Sequence, residues 1–110
     1  MTVKTAVALL LILSASPTFG EAVFITAFTA RPGEKTSIGT KPMPWRTIAV
    51  SRDMKYLVGR KVVVKWKGRK VTGRVESVTH WRLKRTVDVL VARKSDAKKF
   101  EKKKGEIHAI

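Results

Sequence analysis

Lys61-Val62-Val63-Val64-Lys65-Trp66-Lys67-Gly68-Arg69-Lys70-Val71-Thr72-Gly73-Arg74-Val75-Glu76-Ser77-Val78 reads as two strands and the turn that joins them. Lys61 to Trp66 is a β-branched run closed by an aromatic residue, the clearest strand signal in the chain. Lys67-Gly68-Arg69 supplies the turn. In the returning segment, alternation puts Val71, Gly73 and Val75 on one face and Lys70, Thr72 and Arg74 on the other. A hairpin of this kind cannot stand alone in water, so the rest of the chain must supply more strands.

Working outward, the pattern stays β. Thr86 to Val91 (TVDVLV) is a strand, with Val87, Val89 and Val91 on one face and Asp88 and Leu90 on the other. Beyond it, Ser95 is expected to cap a short helix over residues 96–104, with an acid in its first turn and lysines in its last. Gly105 should stop that helix, and Glu106 to Ile110 should close as a strand. Toward the N-terminus, Gly59 marks a turn and Thr47 to Ser51 is a short strand. Residues 31–46 hold three of the four prolines and two glycines and read as a long loop. Val23 to Thr29 is a further strand. The expected fold class is mainly β: a small sheet or barrel of about six strands with one short helix near the C-terminus. No internal repeat is visible.

The 110 residues carry 24 Lys plus Arg against 8 Asp plus Glu, a formal charge of +16, and no cysteine. That length excludes a multidomain enzyme, and the lack of cysteine excludes a disulfide scaffold, a thiolate metal site and a cysteine nucleophile. With 44% hydrophobic residues the chain has enough apolar material for a modest core and is no disordered polycation. Lys4, the apolar run Ala6 to Leu13 and the stretch Ser14 to Gly20 follow the order of a secretory signal peptide, and the apolar core falls short of the roughly 20 residues a membrane span needs. Residues 1–20 are therefore expected to be a signal peptide cut before Glu21, and residues 21–110 the mature domain, at +15 and with no transmembrane span left. The expected location is the periplasm or outside the cell, where the abundant polyanions are wall polymers and lipid headgroups.

His80 and His108 stand alone, without the spacing of a zinc site, and the chain holds no GxGxxG, GxxxxGK[ST] or GxSxG motif, so neither metal nor cofactor is expected. Asp88, inside an otherwise apolar strand, is the most informative acid. It is either a solvated outward residue or a groove-facing one whose carboxyl stays protonated near neutral pH, as a general acid must. Glu76 is a candidate second acid. Trp45, Trp66 and Trp81 lie among Arg46, Lys65, Lys67, Arg82 and Arg85, an arrangement suited to stacking on sugars or bases while cations hold anionic groups. Trp66 could equally be a core residue. The lysines at 98, 99 and 102–104 read as a solvated cationic face that steers toward polyanions.

Thr36-Ser37-Ile38-Gly39, Thr47-Ile48-Ala49-Val50-Ser51-Arg52-Asp53, the strand Lys61 to Trp66, Arg74-Val75-Glu76-Ser77, Thr86-Val87-Asp88-Val89 and Ser95 to Phe100 come in an order that resembles the double-psi β-barrels of cell-wall proteins: RlpA-like proteins, the three-aspartate (3D) domain and the catalytic barrel of lytic transglycosylases. The resemblance implies six crossing strands and a groove that binds peptidoglycan glycan strands. In 3D and transglycosylase members an Asp-Thr-Gly segment precedes a second, proton-donating aspartate by eleven residues. Asp88 falls at that second position, while Ser77-Val78-Thr79 stands where Asp-Thr-Gly would be, and His80 to Arg85 replaces a glycine-rich stretch. The histidine that RlpA-like members carry after the Ile-Ala-Val segment is absent near Ser51 and Arg52.

The resemblance thus implies Asp88 as general acid. Trp45 or Trp81 would stack on sugars, and Arg46, Glu76, Ser77, His80, Arg82 and Arg85 would line the groove, the cations meeting peptide-stem carboxylates. Expansin-like relatives bind wall polymers on such a barrel without cleaving them. A reading from another class stays open: a non-enzymatic binder of nucleic acid or of an anionic envelope polymer, built on an SH3-like hairpin at residues 60–78. A cationic envelope or virion structural protein is a third.

Overall fold

The computed structural model describes residues 20–79 and 82–110. The expected leader, apart from Gly20, lies outside the described residues, as do His80 and Trp81. Six strands close into a barrel: β1 (Glu21–Phe28), β2 (Thr47–Val50), β3 (Lys61–Trp66), β4 (Arg69–Val78), β5 (Thr86–Leu90) and β6 (Lys103–Ala109). A 3-10 segment, Arg52–Leu57, joins β2 to β3, and a six-residue helix α1 (Lys94–Lys99) joins β5 to β6. Among the described residues no helix is long and apolar enough to cross a membrane.

Around the barrel the strands run β1-β5-β2-β4-β3-β6. β1 is parallel to β5 and β2 to β4, and every other neighbouring pair is antiparallel. Exchanging β1, β2 and β3 with β4, β5 and β6 leaves this ring unchanged, so the barrel has an internal twofold, the crossed connectivity of a double-psi barrel. The axis passes between Ala49 and Asp88, which face each other across β2 and β5, and between Val64 and Ile107 across β3 and β6. A register shift between Ile48 and Ala49 accommodates one extra β4 residue, Glu76.

The twofold explains how a chain with no visible repeat builds two matching halves. Positions exchanged by the axis fill space unequally: Val62 is exchanged with Gly105, Val23 with Gly73 and Trp66 with Ala109. Only burial parity is shared, with Val23, Ile25, Ile48, Val50, Val62, Val64, Trp66, Val75, Val87, Val89 and Ile107 packed inside. Gly73 and Gly105 are required by close approach. A Cβ on Gly73 would lie 2.3 Å from the Arg46 carbonyl oxygen, and one on Gly105 would lie 2.3 Å from both the Lys65 carbonyl oxygen and Ile25 Cδ1.

Most expected elements are present, with three differences. The helix ends at Lys99 rather than 104, Arg93 instead of Ser95 occupies its N-cap without a side-chain bond, and Gly105 lies within β6 rather than stopping a helix. The cause is tertiary: Lys103 and Lys104 pair with Ile25 and Phe24 to close the barrel, which outweighs the local helical preference of a lysine-rich run. Trp66 is a core residue, 6% exposed and edge-on to Phe100 at 5.6 Å between ring centres.

Candidate functional site

The outer face of β1, β5, β2 and β4 carries one row of facing positions: Thr26, Asp88, Ala49 and Ser77. Val87 and Val89 point into the core, so alternation turns Asp88 outward. Outward does not mean solvated here. Ala49 beside it is 4% exposed, and Leu90, two residues along the same face, is 1% exposed. Asp88 is therefore partly buried among apolar neighbours, and Thr26 Oγ1 donates a hydrogen bond of 2.9 Å to its Oδ1.

Burial pushes the Asp88 carboxyl up to about 6, against the opposing effect of the Thr26 hydroxyl, which favours the ionised form. Among the described residues, burial and the Thr26 hydroxyl are the two causes of the shift, and no cationic neighbour is one of them. A folded-state value above the unfolded one means that Asp88 holds its proton more tightly when folded. Its contribution to stability is greatest below about pH 4, declines as pH rises toward 6, and is lost above that.

Residues 29–46 connect β1 to β2 and border this row. The Ser37 N–H donates to Ser77 Oγ at 3.1 Å, and Val78 N–H reaches Ser37 Oγ at 3.4 Å. Thr40 and Thr47 hydroxyls both donate to Glu76 Oε2, at 2.9 and 3.0 Å. At the other end of the connection the Trp45 N–H donates to the Leu90 carbonyl at 2.7 Å. Glu76 is thus an anchor for the connecting segment, its carboxylate occupied by two hydroxyls, rather than a free second acid.

The sequence-expected residues divide into groups. Asp88 and Ser77 share the row, two strand spacings or about 10 Å apart at Cα. Trp45 is 43% exposed at the Leu90 end of β5, and with Trp66 and Phe100 it lines a cleft of about 400 Å³. Arg46 lies elsewhere, in a second cleft with Met43, Lys61 and Glu76. Arg85 is tethered: its N–H donates to Asp53 Oδ2 at 3.0 Å and its guanidinium to the Ala22 carbonyl at 2.9 Å. The Ser51 hydroxyl and that Arg85 N–H hold the Asp53 carboxyl below the ordinary carboxylate range. Arg82 is exposed in the segment joining β4 to β5. His80 and Trp81 lie outside the described residues.

Thr26 is the site residue that sequence reasoning missed. It is 62 residues from Asp88, and only the parallel pairing of β1 with β5 joins them. Its outward position could have been read from the alternation of Val23 and Ile25, but its partner could not. Among the described residues no group of three His, Asp or Glu side chains could hold a metal ion. Comparison of the chain with known protein families, with curated proteins and with solved structures finds no match.

Proposed function

We propose that this chain is an exported cell-envelope protein that binds peptidoglycan glycan strands across the face carrying Thr26, Asp88, Ala49 and Ser77, and that Asp88 acts there as the general acid of a lytic transglycosylase. The observation that supports the reading is the carboxyl of Asp88, raised to about 6 on the outer face of the barrel and oriented by the Thr26 hydroxyl. At pH 7 about a tenth of such groups keep their proton, and at pH 5 most do.

The chemistry needs one acid. Asp88 gives its proton to the glycosidic oxygen as the bond from that oxygen to the sugar's anomeric carbon breaks. The sugar's own hydroxyl forms the new bond to the anomeric carbon and closes an anhydro ring. Its proton passes to the Asp88 carboxylate, which restores the acid. No water is consumed and no second nucleophile is used, so Ser77 in place of an aspartate is compatible with turnover. Among the described residues Trp45, exposed at the Leu90 end of β5, offers an aromatic face to a sugar ring.

Incubation of residues 21–110 with isolated sacculi, followed by mass spectrometry of the released fragments, tests this reading. Anhydro-ended muropeptides should appear, their yield rising as pH falls through 6, and Asp88→Asn should lower the yield at least 100-fold. Binding without fragments would reduce the protein to a wall-binding barrel. Absence of both would remove the wall assignment.

A further inference from the structure

The barrel carries a further cleft, of about 580 Å³, between the β3–β4 hairpin and β6. Its lining includes Lys65, Lys67, Arg69, Lys70 and Lys104 against one acid, Glu106. Among the described residues none of these five cations forms an ion pair.

Two features show that this end of the barrel is arranged against its own stability. Lys65 and Lys70 face each other directly across the antiparallel pair, where like charges repel, and the one acid in register with them, Glu106 across from Lys65 on β6, leaves Lys70 without an opposite charge facing it. The two-residue turn between them has positive φ at both positions, Lys67 at 42° and Gly68 at 76°. The first position of such a turn favours Asn, Asp or Gly, so a lysine there is a local penalty. Local rules are broken in this way most often where a surface is used. The adjoining cleft shares Lys67 and Arg69 and adds Lys99, Lys103 and the exposed Trp45, which prolongs the cationic track past an aromatic face.

We infer that this hairpin cleft binds the phosphodiester backbone of a single flexible polyanionic chain. Closely spaced, unpaired cations gain most from a ligand with one charge per repeat unit, because each contact releases condensed counterions. At about 580 Å³ the cleft takes a few repeat units of a single chain, whereas a rigid duplex is too wide to enter it. The inference is independent of Asp88, which lines neither cleft.

Binding is measured by fluorescence titration over a range of salt concentrations. The polymers are single-stranded oligothymidylate, lipid-free poly(glycerol phosphate), duplex DNA and polyglutamate. Either single-chain phosphodiester should bind, with log K falling against log salt at a slope of about −3, as expected for four to five phosphates. The tighter of the two identifies the source. The triple variant Lys65→Gln, Lys67→Gln, Lys70→Gln should bind at least 10-fold more weakly with a slope shallower by about 2. The charge-matched control Lys35→Gln, Lys41→Gln, Lys55→Gln should bind like the parent. Lys67→Asn should raise the melting temperature while lowering affinity, which a purely structural role for Lys67 would not produce. Equal losses in the two triple variants, tightest binding to duplex or polyglutamate, or no binding at all would overturn the inference.

Discussion

The two halves of the barrel place Asp88 and Ala49 at equivalent positions on either side of the twofold axis, and Thr26 and Ser77 at equivalent positions flanking them. One half therefore has a hydroxyl bonded to a carboxyl, whereas the other has a hydroxyl beside a methyl group. Ser77 Oγ accepts from Ser37 N–H and helps fix the connection between β1 and β2, while Thr26 Oγ1 donates to an acid. The fold provides the same shelf twice, and the side chains give it chemistry once. The single acid owes its raised value to what the other half supplies: the buried Ala49 is part of the apolar wall that desolvates it.

Making the halves more alike should break the molecule in graded ways. The largest effect is expected at Gly105, whose axis-related residue is Val62. Gly105→Val would drive a Cβ against the Lys65 carbonyl oxygen and Ile25 and should cost about 3 kcal/mol or more, read as a fall in the melting temperature or a failure to fold. Next is Ala49→Asp, which would set two partly buried carboxyls opposite each other. Both cannot ionise, so the pair should titrate in two separated steps, one above 6, with about 2–3 kcal/mol of stability lost at pH 7 and little at pH 4.

The smallest effect is expected for Asp88→Asn, and it has the opposite sign. Removing an acid whose folded value lies above its unfolded value should stabilise the protein by about 1–3 kcal/mol at pH 7 and flatten the decline between pH 4 and 6. Urea unfolding at several pH values reads both of these effects. A gain in stability on deleting an acid is the mark of a group kept for something other than folding.

β1, β3 and β4 are legible in the sequence from their alternation, β2 and β5 from short β-branched apolar runs, and Asp88 stands out because it interrupts one of those runs. Lys103 and Lys104 look helical by local preference but belong to β6, because their pairing with β1 is a contact across nearly 80 residues, which no local preference encodes. The twofold was hidden for a related reason: barrel packing asks the two halves for matching burial rather than matching residues, so Trp66 can answer Ala109. The Thr26–Asp88 bond and the role of Glu76 in holding Thr40 and Thr47 likewise depend on parallel pairings that only closure of the barrel creates. The cationic hairpin was visible as composition, but its unfavourable geometry at Lys65, Lys67 and Lys70 was not.

The most direct test is the titration of Asp88 itself, followed through its side-chain carboxyl carbon by NMR with Asp88→Asn assigning the resonance. A midpoint near 6 is expected, from burial beside Ala49 and Leu90 with only the Thr26 hydroxyl opposing. A midpoint at or below 4 would mean a solvated carboxylate, ionised throughout the neutral range, and the general-acid account of this face would be wrong.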